Sequence, residues 1–300
     1  MSLVAWTSAR FAIPLPDGHR FPIAKYELLR QRVLADGLVT PSAMLEPDRA
    51  PADALARVHD GAYLARVAAG TMPPAEQRRL GFPWSDALAE RSLRAAGGTL
   101  EAAFAALERG VTMNLAGGTH HAFRTHGEGF CVFNDVAVAV RALQAARRIE
   151  RAVIIDLDVH QGNGTHAIFA EDPSVTTFSM HGRRNYPFHK VAGTYDVELG
   201  DGTRDDPYLA QLRDTLPSVL AQARADIAFY LAGADPHEGD RLGRLGLTFD
   251  GLAARDHFVL TQCREIGLPV VITIAGGYGA RIEDTVAIHA TTARIAREFC

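Results

Sequence analysis

The sequence predicts an α/β protein: a parallel sheet covered on both faces by helices. Two observations carry this. Short apolar runs rich in β-branched residues alternate at least five times with helical patterns, with a polar or glycine-rich segment between run and helix. The clearest of these runs each end in residues rarely found without a chemical purpose. In a parallel sheet such ends share one edge, where ligands bind.

The elements follow in order. Leu3–Trp6 reads as a first strand. Pro22 suits a first helical turn, and Ile23, Tyr26, Leu29 and Val33 form an apolar stripe ending near Gly37. Residues 41–51 read as loop with a short extended piece, 52–69 as one helix, and 70–86 as an irregular Pro/Gly-rich loop near a site. A long helical pattern over 87–110 is interrupted at Gly97-Gly98. A strand at 112–115 leads into AGGTHHAF, and GEGFCVFND precedes a helix over 135–148. Ala152–Ile155 is the most apolar strand and runs into DLDVHQGNG. A short helix is expected over 166–172, a strand over 175–180, a long loop over 181–199 and a helix over 205–222. Strands at 226–231 and 270–274 lead into AGADPHEGD and AGGYG, with helices over 252–266 and 282–299.

Composition narrows the function. The chain of 300 residues carries a net charge of -4, with 47% hydrophobic and 22% charged residues. That is ordinary for a soluble globular protein and enough for one large α/β domain or two ordinary ones. No basic patch points to nucleic acid, and no apolar run is long enough to span a membrane. The three cysteines form no CxxC pair and there is no secretory pattern at the N-terminus, so a cytoplasmic, reducing setting is expected. The alanine- and arginine-rich composition suggests a bacterial source.

Alternation along the strand end places Asp156, Asp158 and His160 on one side. Taken alone, that could be a strand end closed by an Asp–His hydrogen bond. Asp235 arrives at the same edge after the strand ending in AGAD. Asp158, His160 and Asp235 therefore form a candidate divalent-metal set, two carboxylates and an imidazole with a position left open. Zn²⁺ is the default ion, and Fe²⁺ suits the same ligands. His120 and His121 are either ordinary loop histidines or a candidate general base and a second charged group, which Asp156 and the uncharged Asn163 could orient. Tyr278, between glycines, is either a donor to a developing oxyanion or a surface tyrosine beside a turn. Gly276 and Gly277 allow close backbone approach to a substrate. Phe130 either walls a channel or belongs to the core. The loops AGGT, HQGNG and AGGY match neither nucleotide-binding glycine pattern.

Together, GGTHHAF, GFCVFND, IDLDVHQGNG, GADPHEGDRLG and AGGY resemble the histone deacetylase superfamily, in the family's order, from about His19 to the C-terminus. DLD followed by HQGNG, GDRLGRLGLT, ERSLRAAGGT and the short length look most like its class IV branch. The resemblance implies a single catalytic domain over residues 1–300 with an arginase-like three-layer fold around a central parallel sheet of about eight strands. It also implies a zinc-dependent hydrolase that removes acyl groups (acetyl or longer fatty acyl) from lysine ε-amines of proteins or peptides. It makes Asp158, His160 and Asp235 the metal ligands, His121 the general base and acid, His120 its electrostatic partner paired with Asp156, and Tyr278 the oxyanion donor. It further implies a structural monovalent cation, usually K⁺, held by Asp156, Asp158, His160, Ser179 and Met180. Gly129, Phe130 and Tyr186, rather than Phe188, would flank the acyl-lysine tunnel.

Three departures stand out. Many relatives carry Asp where this chain has Asn163, which lowers the basicity expected of His121. Pro83 stands where some relatives place an aspartate that grips the substrate backbone. Lys25 stands about where many use arginine at the inner end of the pocket. The runner-up function is an acetylpolyamine or other small-molecule amidohydrolase. A binuclear manganese ureohydrolase would need DxHxD, and here the fifth position is Gly162. An acyl-lysine binding module without activity is the remaining reading. A monomer or small homo-oligomer is expected.

Overall fold

A computed structural model describes residues 2–300. One sheet of eight parallel strands forms its centre: β1 Val4–Trp6, β2 Met44–Leu45, β3 Val111–Asn114, β4 Ala152–Asp156, β5 Val175–Gly182, β6 Tyr195–Leu199, β7 Ile227–Leu231 and β8 Val270–Thr273. Their spatial order is β2-β1-β3-β8-β7-β4-β5-β6, so β4, β7 and β8 are adjacent interior strands. Every residue of these three strands is buried, as strands covered on both faces require. The register sets Asp156 beside Leu231 on β7 and beside Ser179 on β5.

Among the described residues, ten α-helices flank the sheet: α1 Lys25–Ala35, α2 Ala52–Ala56, α3 Gly61–Ala69, α4 Pro74–Leu80, α5 Asp86–Arg109, α6 Asp135–Ala145, α7 Asn163–Phe169, α8 Asp205–Ala223, α9 Phe249–Glu265 and α10 Ile282–Glu298. α1, α10, α9 and α8 pack in one row, and α5, α6, α7 and α2 in another. The expected alternation is thus borne out.

Four expectations are corrected. Residues 52–69 form two helices, because Asp60 leaves the helical path, accepts a hydrogen bond from Ala62 N–H and caps α3. The stretch 70–86 contains α4, started by Pro73-Pro74 and stopped by Gly81 with φ +81°. α5 runs unbroken through Gly97-Gly98. A side chain at Gly97 would collide with the carbonyl oxygen of Asp48, so this glycine serves close packing and not a break. The segment 181–199 is not all loop: β6 closes the edge of the sheet, and its alternating half-buried and exposed residues fit an edge strand.

Candidate active site

The loops after β3, β4, β7 and β8 meet at one edge of the sheet. Asp135 anchors the first of them. Its buried carboxylate accepts from Thr99 Oγ1 (2.6 Å), Gly118 N–H (3.0 Å), Thr119 N–H (2.8 Å) and Thr119 Oγ1 (2.6 Å). This network fixes the backbone that delivers His120 and His121.

The structure brings Asp158, His160 and Asp235 together: one ligating atom from each lies within 4.8 Å of the others, and all three residues are buried. Nδ1 of His160 faces Asp158 Oδ1 at 2.9 Å and Asp235 Oδ2 at 3.2 Å. The other oxygens are engaged from the backbone. Gly276 N–H donates to Asp158 Oδ2 at 2.7 Å and Val159 N–H to Asp235 Oδ1 at 2.9 Å. Asp235 Oδ2 is buried with no hydrogen-bond partner. Two buried carboxylates this close require a positive charge between them. Burial disfavours the His160 cation, but Asp158 and Asp235 outweigh it and push the ring up to about 10. Burial and the Asp158 charge push Asp235 up to about 7. A side chain at Gly276 would run into both carboxylates, so the backbone here forms a wall of the cradle. The donor set and the orphaned oxygen fit a divalent ion.

His120 and His121 stack with ring centroids 4.1 Å apart but have different partners. Nδ1 of His120 donates to Asp156 Oδ2 at 2.6 Å. Burial opposes its charge, yet Asp156 and Asp158 prevail and hold it up to about 9. His121 Nδ1 bonds Asn163 Oδ1 at 2.7 Å. Burial, then the neighbouring His120 and His160, drive His121 well below the ordinary histidine range. One imidazole is therefore cationic and its neighbour neutral, with Nε2 of His121 left as an acceptor.

Tyr278 is buried, its ring 6.5 Å from that of His160. Burial and the Asp235 and Asp158 charges raise its phenol well above the usual range, so it stays a donor. Its backbone is clamped by Asp240, which accepts from Tyr278 N–H, and by Arg241 Nε, which donates to Tyr278 O at 3.0 Å. Lys25, fully buried, donates to the carbonyls of Ala275 (3.3 Å) and Gly277 (3.4 Å) from α1. Phe130 (φ +66°) packs 5.9 Å from Tyr278, and the Tyr186 ring stands edge-on to His121 at 4.9 Å. Gly129 packs against both His121 and Tyr186. Ser179 and Met180 are buried on β5 beside Asp156.

Other histidines of the strand ends stay apart. His181 bonds Ser179 Oγ at 2.9 Å, and His237 accepts from Gly239 N–H at 3.1 Å beside the Phe249 ring. Sequence reasoning missed Glu128, Asp240 and Arg255. Glu128 accepts from Asn163 Nδ2 and from the Tyr186 hydroxyl, both at 2.7 Å. Its signal was an acid inside a glycine turn of a motif already singled out.

An outer cavity of about 740 Å³ opens from His121, His160 and Tyr278 to the surface between Phe130 and Tyr186. Its rim carries Arg20, Arg78, Arg79, Arg184, Arg241 and Arg244. Two smaller cavities of about 50 Å³ each lie inside. One touches His120, His121, His160 and Tyr278; the other is lined by Ile13, Phe82, Leu88 and Phe133. Phe21, Tyr26, Gly117, Thr119 and Phe130 wall both.

The profile of the histone deacetylase domain matches residues 19–294. The chain belongs to the histone deacetylase family. As a member it is an amide hydrolase. It is 33% identical to Histone deacetylase 2 of Arabidopsis thaliana over 87% of this chain and 70% of that protein. It is 44% identical to an uncharacterized protein of Picosynechococcus sp. over 96% of both chains. The crystal structure of the HDA15 HD domain superposes with a TM-score of 0.83 at 22% identity, covering 99% of this chain and 88% of that one, and this shows a shared histone deacetylase fold.

Proposed function

We propose that the chain hydrolyses the amide of acyl-lysine in proteins or peptides. The convergence of Asp158, His160 and Asp235 beside a neutral His121 and a buried Tyr278 hydroxyl carries this reading. Asp158, His160 and Asp235 would hold one divalent ion, Zn²⁺ by preference. When bound, such an ion lowers the pKa of water and polarises a carbonyl. His121 Nε2 accepts the proton of the attacking water and passes it to the leaving amine. Tyr278 O–H donates to the charge that develops on the carbonyl oxygen. His120, held cationic by Asp156, adds positive charge next to the reacting centre. Gly129, Phe130 and Tyr186 flank the lysine stem, with Gly276 and Gly277 at its inner end. Asp156, Asp158, His160, Ser179 and Met180 form the proposed K⁺ site. The class IV assignment rests on the motifs already described.

The arginine rim favours acyl-lysine over the polyamine alternative, because the guanidinium groups of Arg20, Arg78 and Arg79, which no carboxylate among the described residues pairs, repel a polycation at the entrance. Turnover is compared on an acetyl-lysine peptide and on acetylspermidine with Zn²⁺ supplied. The peptide is expected to win, and faster acetylspermidine would overturn the reading. His121→Ala and Tyr278→Phe are expected to bind metal while losing about 100-fold or more in kcat. Full activity in either variant would remove that residue from its role.

A further inference from the structure

We infer that Glu128 is a positioning residue that selects the tautomer of His121 through Asn163. This rests on the reading of His121 as the proton acceptor. An asparagine amide can present either its oxygen or its NH₂ to a neighbour, and a half-turn about its last bond exchanges the two. With the oxygen toward His121, Nδ1 must carry the proton and Nε2 is free to accept one. With the NH₂ toward His121, the lone pair lies on Nδ1, pointing away from the cleft, and Nε2 is already protonated. A directly bonded aspartate would forbid the second arrangement because it only accepts. Asn163 by itself does not.

Glu128 supplies what Asn163 lacks. Its Oε1 receives Asn163 Nδ2 at 2.7 Å, while Asn163 Oδ1 meets His121 Nδ1 at 2.7 Å. A carboxylate has no donor, so turning the amide over would set oxygen against oxygen. Glu128 is ionised: burial opposes its charge, but His126, Tyr186 and Asn163 together hold it below the ordinary carboxylate range. Its second oxygen lies 3.6 Å from His126 Nε2. The chain Glu128–Asn163–His121 thus replaces a direct carboxylate with one placed a residue further out. The same oxygen accepts the Tyr186 hydroxyl at 2.7 Å, so one atom fixes both the proton acceptor and a wall of the pocket.

Glu128→Gln tests this without changing shape. Glutamine can donate or accept, so it tolerates both orientations of Asn163. The His121 tautomer is read by nitrogen NMR of histidine-labelled protein without added metal, and kcat is read on an acetyl-lysine peptide with Zn²⁺. The natural protein is expected to show a single Nδ1–H tautomer. Glu128→Gln is expected to show a mixture and to lose about 10- to 100-fold in kcat. Adding Asn163→Asp to Glu128→Gln restores the single tautomer and most of kcat. Tyr186→Phe, which breaks only the other bond to that oxygen, leaves the tautomer unchanged. A single tautomer in Glu128→Gln, failure of Asn163→Asp to restore it, or an equal shift in Tyr186→Phe would overturn the inference. Absence of peptide hydrolysis in the natural protein would instead overturn the proposed function, and the tautomer readings would still stand.

Discussion

Arg255 on α9 donates to the carbonyl oxygen of Gly233 at 2.7 Å, two residues before Asp235. The same guanidinium reaches Leu157 O at 3.2 Å, directly before Asp158, and pairs with Asp256 at 2.8 Å. One fully buried cation therefore ties together the backbones that present two carboxylates of the cluster. Arg255→Met leaves Asp256 buried without its countercharge, although Tyr230 and Thr292 still donate to it. The expected loss is about 3–5 kcal/mol of stability, read from urea unfolding, together with weaker Zn²⁺ binding. Arg255→Met combined with Asp256→Asn recovers most of the stability, because no unpaired charge remains.

His59 sets an acid limit on the fold. Its Nδ1 donates to Phe123 O at 2.9 Å and its Nε2 accepts from Asn134 N–H at 3.0 Å, so both bonds require the neutral ring. Burial lowers it to about 4, against about 6.5 in the unfolded chain. Between those values the unfolded state binds more protons. Its contribution is therefore fully present above about pH 6.5 and lost as pH falls toward 4, with a slope of at most about 1.4 kcal/mol per pH unit. His59→Gln, which can keep both bonds, is expected to flatten the stability–pH curve in that window by up to one proton. His181 and His289, also lowered by burial, account for a remaining slope.

The parts of the site visible in the sequence are those that end buried strands. Asp158, His160, Asp235 and Tyr278 follow apolar runs with nothing else to explain them, and the parallel sheet brings such ends to one edge. Residues that act by holding others were harder to see. Arg255 lies in an amphipathic helix, where a charge reads as solvent-facing, and only the tertiary fold shows it buried. Glu128 reads as a polar loop residue. β6 was legible in principle, since Tyr195, Val197 and Leu199 alternate with Asp196 and Glu198. α4 was hidden by the prolines that begin it.

Acyl length is expected to be limited by the wall between the two inner cavities. Phe21 lines both, with its ring 5.4 Å from Phe130 and 4.9 Å from Phe82. A series of one lysine peptide carrying acetyl, butyryl, octanoyl and myristoyl groups should show kcat/KM falling with length. Phe21→Ala joins the cavities and should raise octanoyl turnover relative to acetyl by about 10-fold, the scale of one or two methylenes accommodated. Faster myristoyl than acetyl turnover in the natural protein would show that the wall yields.

The rim predicts a preference for acidic sequence around the lysine. Arg20, Arg78 and Arg79 are exposed and, among the described residues, have no ion-pair partner, whereas Asp201 holds Arg244 at 3.2 Å. Peptides with Asp or Glu flanking the acyl-lysine should show kcat/KM about 3- to 10-fold above neutral ones at low salt, with the difference shrinking toward 1 M salt. Arg78→Glu with Arg79→Glu should reverse the preference.

The cluster draws on β4, β7 and β8, three neighbouring strands in the middle of the sheet. Its geometry is therefore tied to the part of the molecule that opens last. Amide exchange along these strands is expected to require unfolding of the whole chain, whereas the arginine side chains of the rim are exposed at the surface. Capture of substrate and integrity of the metal-binding groups thereby lie in different parts of the fold: Arg20, Arg78 and Arg79 can be changed to alter what the enzyme accepts without touching Asp158, His160 or Asp235, whereas Arg241 ties the rim to Tyr278.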